Sequence, residues 1–208
     1  MRLIFATNNQ HKIDEIRSAI GEKSSLEIVT LKEAGIDTDI PEPYDTLERN
    51  AINKSRTIYE LIKMNPIPIA MGTIGCFSED TGLEVEALNG EPGVKSARYA
   101  GEEKSFDKNI EKLLKKLQRS TNRKARFRTI ISLQIDGKEI LFEGICKGVI
   151  ISEKKGKAGF GYDPVFVPEG AIHTFAEMSL EEKNLFSHRK KAIDKLVAYL
   201  SKEGFSDT

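Results

Sequence analysis

An α/β fold is what this sequence predicts, on three observations. Arg2–Ala6 is a short apolar run, the helix-like segment beyond Thr7–Gln10 carries Ile13, Ile16 and Ile20, and Leu26–Val29 is apolar again. The chain therefore opens as strand, loop, helix, strand. Two long strand patterns, Ala125–Ile135 and Lys138–Ser152, meet at Asp136-Gly137, a dipeptide suited to a two-residue hairpin. Helical stripes separate the strand patterns, and 208 residues without a repeat or linker suit a single domain spanning 1–208.

Lys plus Arg and Asp plus Glu both total 32, so no net charge draws the chain to nucleic acid or to an anionic membrane, and an anion site must be local. Cys76 and Cys146, the only cysteines, lie in apolar strand-like runs and read as reduced core thiols. With three scattered histidines they make a poor zinc set. The apolar start is too short for a signal peptide and no run approaches membrane-spanning length, so a soluble cytoplasmic protein is expected.

Taken in order, Gly21 stops the first helix, and Thr46 caps a second running to about Met64 with Leu47, Ala51, Ile58 and Leu61 on one stripe. Pro66 and Pro68 end it, and an apolar run, Ile67–Met71, follows. Ile74–Phe77 and Leu83–Ala87 read as strands joined by a tight acidic turn containing Ser78-Glu79-Asp80-Thr81-Gly82. A third helix covers about Phe106–Gln118; after the hairpin, Ser179 with Glu182 forms a capping box, and a last helix uses Ala192, Ile193, Leu196, Val197 and Leu200. Residues from Gly204 to Thr208 read as a frayed tail.

Three features bear chemistry. The Thr7–Lys12 loop sits at a strand's carboxyl end before a helix N-terminus, where free N–H groups and the helix dipole favour anions. Lys12 is badly placed for that dipole and reads either as a solvated lysine or as a residue with work outside the helix. Glu79 and Asp80 read either as a solvated acidic turn or as a metal-binding or proton-accepting pair. Phe160, set between Gly159 and Gly161 in a basic loop, reads as part of a hairpin connection or as a ring able to stack on a base. Arg126 and Arg128 alternate with Phe127 as a solvated strand face. Together the features point to metal-dependent phosphate chemistry on a nucleotide. Rival readings are a pyrophosphatase for pyrimidine or modified nucleotides, and a nucleotide- or RNA-binding module.

The ordered set Thr7-Asn8-Asn9-Gln10-His11-Lys12-Ile13-Asp14-Glu15, Asp80-Thr81-Gly82-Leu83, Gly90-Glu91-Pro92-Gly93, Ser96-Ala97-Arg98-Tyr99, Gly159-Phe160-Gly161-Tyr162-Asp163-Pro164, Ala176-Glu177-Met178, Glu182-Lys183-Asn184 and Ser187-His188-Arg189 closely resembles the inosine/xanthosine triphosphate pyrophosphatase family. The resemblance implies hydrolysis of ITP, dITP and XTP to the monophosphate and pyrophosphate by a Mg²⁺-dependent cytoplasmic homodimer. The implied fold is an elongated α/β domain, two lobes around a mixed sheet, with the active site in the cleft between lobes.

Carried onto this chain, the resemblance makes Thr7, Asn8, Asn9, Gln10, His11 and Lys12 substrate-binding, with Thr7, Asn9 and Lys12 on the phosphates. It makes Asp80 the metal ligand and the base, and brings Thr81 to the substrate. Phe160 stacks on the purine with Gly161, Tyr162 and Asp163 completing the loop, and Lys183, His188 and Arg189 read the 6-oxo edge. Three positions depart from the family pattern. Leu47-Glu48-Arg49-Asn50-Ala51 has Arg49 where relatives carry the metal-binding Glu, so that ligand is either Glu48, one place earlier and the favoured choice, or absent; Glu79 is longer than the usual acid, and Lys95 stands where an aromatic is common.

Overall fold

The structure, a computed structural model, describes residues 1–21, 26–64 and 73–204. Strand β1 (Arg2–Phe5), helix α1 (Gln10–Ile20) and strand β2 (Glu27–Thr30) form the predicted opening, with β1 and β2 parallel from Arg2↔Glu27 to Phe5↔Thr30. Parallel neighbours need a crossover, which α1 supplies. Helix α2 (Leu47–Met64) begins where the Thr46 hydroxyl accepts the Arg49 N–H at 3.3 Å. Strand β3 (Thr73–Val85) is parallel to β1, and β4 (Pro92–Gly93) runs antiparallel to β3.

Helix α3 (Phe106–Lys116) is capped by Ser105. Strands β5 (Lys124–Ile135) and β6 (Lys138–Ile150) are neighbours joined at Asp136 and Gly137, whose φ values of 47° and 74° are those a type I′ hairpin requires. β7 (Phe166–Pro168) is antiparallel to β6; α4 (Leu180–Asn184) carries the predicted Ser179/Glu182 capping box, and α5 (His188–Lys202) follows. Among the described residues seven strands make a mixed sheet ordered β2-β1-β3-β5-β6-β7, with β4 on β3.

The chain divides into two compact units. The first comprises Met1–Asp80, Thr129–Gly144 and Arg189–Thr208. There the period of two along each strand separates the side chains: Leu3, Phe5 and Phe77 pack with Ile16 of α1 and Ile193 and Leu196 of α5, while Ile4, Ala6 and Cys76 pack with Ile58 of α2. Phe5 and Phe77 stack with centroids 4.5 Å apart. The second unit, Thr81–Arg128 and Ile145–His188, gathers Leu83, Val85, Phe127, Phe166 and Phe175 around Ile110 and Leu113 of α3. Both cysteines are buried thiols outside any disulfide.

The predicted acidic turn is corrected. Glu79, Asp80, Thr81 and Gly82 lie inside the uninterrupted strand β3, and both carboxylates are buried. A strand tolerates them because buried cations meet each one. Gly82 serves close approach rather than a bend: a Cβ there would lie 2.6 Å from the Gly93 carbonyl oxygen on β4. Strands β4 and β7 were not expected, and α3 and β6 end two residues earlier than their patterns suggest. The Pro66 and Pro68 stop, the Ile67–Met71 run and the tail beyond Gly204 lie outside the described residues.

Candidate active site

Successive side chains on a strand point to opposite faces, so Glu79 and Asp80, adjacent in sequence, serve different helices. Glu79 lies toward α1 and α5. Its carboxylate accepts from Arg189 Nε at 2.8 Å and Nη2 at 3.3 Å, and Lys12 Nζ stands 2.8 Å away. Arg189 also donates to Glu15 on α1. Asp80 lies toward α2, with Lys54 Nζ at 3.5 Å, and Lys54 donates in turn to Glu42. Two alternating-charge chains result: Glu15–Arg189–Glu79–Lys12 and Asp80–Lys54–Glu42.

Burial raises the cost of every charge here, and the pairings decide each outcome. Burial alone would lift the Glu79 carboxyl, but Arg189 and Lys12 hold it well below the usual carboxylate range. Asp80 goes the other way: burial raises it, Lys54 and Lys12 counteract, and the charges of Glu42 and Glu79 add to the rise. Lys12 is raised despite burial because Glu79 and Asp80 both favour its charged form, and Glu79 and Glu15 do the same for Arg189. Two neighbouring carboxylates are thus pushed apart in proton affinity, the pattern expected when one is structural and the other exchanges protons.

The loop before α1 is tied by its own side chains. Asn9 is the N-cap, its oxygen accepting from Lys12 N–H at 3.3 Å, and Thr7 Oγ1 accepts from Asn9 N–H at 3.2 Å. Asn8 donates to the Thr38 carbonyl at 2.9 Å, and Gln10 to Asp14 at 2.7 Å. His11 is exposed at the first turn. The misplaced Lys12 turns its ammonium to Glu79.

In the second unit, Asp163 organises the aromatic loop. Its Oδ2 accepts from Phe160 N–H at 3.0 Å and from buried Lys183 Nζ at 2.6 Å. Gly159 and Gly161 hold φ of 73° and 64°, which favour glycine, and a Cβ on Gly159 would meet Asp163 Oδ2 at 2.1 Å. Phe160 is half-buried, with Lys183 Nζ 5.6 Å from its ring centroid, and buried Tyr162 donates to the Ser96 carbonyl at 3.0 Å. The His188 ring is buried and stacks on Phe127 at 4.7 Å with 13° between planes.

The structure thus places Lys12 and Arg189 with Glu79 in one charge chain and Asp80 in the other, and gathers Phe160, Asp163 and Lys183 into a third cluster. Arg189, expected at the ring edge, has its guanidinium engaged by Glu79 and Glu15. Thr81 follows on β3, half-buried, and Glu48 occupies the first turn of α2. The carboxylate that shares Lys54 with Asp80 is Glu42. Sequence reasoning missed Glu42 and Glu15; the only signal for Glu42 was its setting between Pro41 and Pro43, which marks a loop and names no chemistry.

A hard divalent cation takes oxygen donors, and Mg²⁺ is commonly held by one or two carboxylates together with water and substrate phosphates. Asp80 and Glu42, converging on one ammonium, fit that donor set. Among the described residues no cluster of three or more His, Cys, Asp or Glu forms a cage, so further ligands would come from substrate and water.

Fold and site together define an α/β protein with a buried carboxylate–cation centre on a central strand and a separate aromatic loop braced by an ion pair. The chain belongs to the Ham1 family, whose profile matches residues 3–199. It is 48% identical over 201 residues to a dITP/XTP pyrophosphatase of Flavobacterium johnsoniae, covering 97% of this chain and 98% of that one. The corresponding protein of Porphyromonas gingivalis is 50% identical over 200 residues, covering 96% and 97%. Among solved structures, the Staphylococcus aureus Ham1 protein superposes with a TM-score of 0.82 at 39% identity, covering 98% of this chain and all of that one. A dITP/XTP pyrophosphatase from Mycobacterium abscessus gives 0.70 at 35% identity, covering 94% and 98%.

Proposed function

We propose that this protein hydrolyses ITP, dITP and XTP to the nucleoside monophosphate and pyrophosphate, clearing them from the nucleotide pool. The observation that carries the reading is the split pair on β3, with Glu79 locked ionised by Arg189 and Lys12 while burial raises the Asp80 carboxyl against the opposing charge of Lys54, 3.5 Å away. Asp80 is the base that orients water toward the α-phosphorus and takes its proton. Lys12 and Lys54 place positive charge where a triphosphate gathers negative charge. The cofactor in this reading is Mg²⁺: Asp80 and Glu42 would hold it, with Glu48 in the first turn of α2 the further carboxylate expected from the sequence, and when bound it would supply charge neutralisation for the pyrophosphate leaving group.

Phe160 provides the stacking face for the purine. Lys183 and His188 supply donors for a 6-oxo ring, and a site built of donors rejects a ring bearing an amino group at that edge. The same reading makes the working enzyme a cytoplasmic homodimer.

The test is pyrophosphate release with Mg²⁺ across ITP, dITP, XTP, GTP and ATP, plus a pyrimidine panel. The expected result is turnover of the first three, with Asp80→Asn losing about 10²–10⁴-fold in rate while nucleotide binding persists. Full activity of that variant would remove Asp80 from the reaction, and preference for a pyrimidine triphosphate would overturn the substrate assignment.

A further inference from the structure

Glu42 stands in the segment between Ile40 and Thr46, where no helix or strand fixes it. Such a segment gives a carboxylate no reason to hold one position, yet Glu42 meets Lys54. The reason lies on one face of α2. Asn50, only 1% exposed, grips the backbone of Tyr44 twice: its Oδ1 accepts from Tyr44 N–H at 3.0 Å and its Nδ2 donates to the Tyr44 carbonyl at 3.1 Å. One turn further on, Asn53 Nδ2 donates to the Pro41 carbonyl at 3.0 Å. The two amides hold the chain on either side of Glu42, and the next helical residue, Lys54, receives its carboxylate.

Asn50 and Lys54 are four apart and share a helix face, so a single rigid element fixes the loop and presents the cation. Helix α2 is itself pinned beside Asp80, because Ser78 on β3 donates to the Ala51 carbonyl at 2.5 Å. Asp80 is two residues along the strand and shares that face. The distance between the two carboxylates is therefore set by α2.

We infer that Asn50, assisted by Asn53, is the positioning residue that holds Glu42 opposite Asp80 for divalent-cation binding. This deepens the proposed function and rests on its assignment of Glu42 as a ligand. Residues that orient metal ligands typically matter by 10–100-fold in affinity, and loss of the doubly bonded Asn50 amide falls in that range.

The test titrates Mn²⁺ into the substrate-free full chain and reads the free-ion EPR signal for wild type, Glu42→Gln, Asn50→Ala and Asn53→Ala, with melting temperature measured for each. Glu42→Gln and Asn50→Ala should each weaken Mn²⁺ binding by about tenfold or more, and Asn53→Ala by a smaller factor. In activity assays the Mg²⁺ concentration for half-maximal rate should rise for Asn50→Ala, with kcat largely restored at saturating Mg²⁺, a split that general destabilisation does not produce. Unchanged Mn²⁺ binding in Glu42→Gln overturns the ligand assignment and the inference with it. Weakened binding in Glu42→Gln with wild-type binding in Asn50→Ala overturns the inference alone. Should Asn50→Ala fail to fold, half-buried Asn53→Ala decides, and unchanged Mn²⁺ affinity there counts against positioning.

Discussion

At the scale of single residues, the centre depends on Glu79 staying ionised while fully buried. Its two oxygens take Arg189 at 2.8 and 3.3 Å, and Lys12 completes the set at 2.8 Å. Removing one partner of a buried pair typically costs about 3–5 kcal/mol, because the remaining charges are left uncompensated. Glu79→Gln is therefore expected to lose stability of that order at neutral pH, measured by urea unfolding. The pH dependence has a definite sign. The folded carboxyl is depressed below its ordinary value of 4.5, so between the two values the unfolded chain binds more protons, and wild-type stability rises with pH. The gap between wild type and Glu79→Gln should be full above about pH 4.5 and shrink as pH falls below it; a gap independent of pH counts against the assignment. Lys12 and Asp80 were legible in the sequence because each breaks a local rule, a cation in a helix's first turn and a carboxylate beside an apolar strand. Glu15 was not, since nothing local separates it from a solvated helical residue and its partner Arg189 is 174 positions away.

At the scale of elements, the loop around Phe160 shows how backbone and ion pair act together. Asp163 reaches back to the Phe160 N–H and is itself held by Lys183. Gly159→Ala would place a methyl group 2.1 Å from the Asp163 carboxylate and force a left-handed φ on an alanine, costing about 1–2 kcal/mol for the backbone alone. The expected outcome is a raised KM for ITP with a smaller change in kcat, and little change in the inhibition of that turnover by inorganic tripolyphosphate, which has no ring to stack. Equal weakening of ITP and tripolyphosphate would show that the loop serves folding rather than base recognition. The Gly-Phe-Gly pattern was visible in the sequence, whereas its brace was not. The error over β3 has a related cause: Glu79-Asp80-Thr81-Gly82 carries turn statistics, and only the distant Arg189, Lys12 and Gly93 convert it into strand. Pattern alone does not reveal that a buried carboxylate has its counter-charge waiting.

At the scale of the whole molecule, the two compact units left no trace in composition because their boundaries fall inside regular elements. Domain boundaries are usually exposed polar or Gly/Pro-rich linkers. Here the chain passes from one unit to the other after Asp80 within β3, after Arg128 within β5, after Gly144 within β6 and after His188 within α5. Each shared strand runs without a linker from one unit into the other, so unfolding one unit would fray the strand ends on which the other's ladder depends. The protein is accordingly expected to melt in one transition. Hydrogen exchange followed by mass spectrometry should give the same opening free energy for peptides from Leu3–Ala6 in the first core and Leu83–Val85 in the second, and the calorimetric and van't Hoff enthalpies should agree. Two resolved transitions, or a first core that exchanges while the second stays protected, would show that the shared strands do not transmit unfolding, and the consequences of Glu79→Gln and Gly159→Ala would then stay local to their own units.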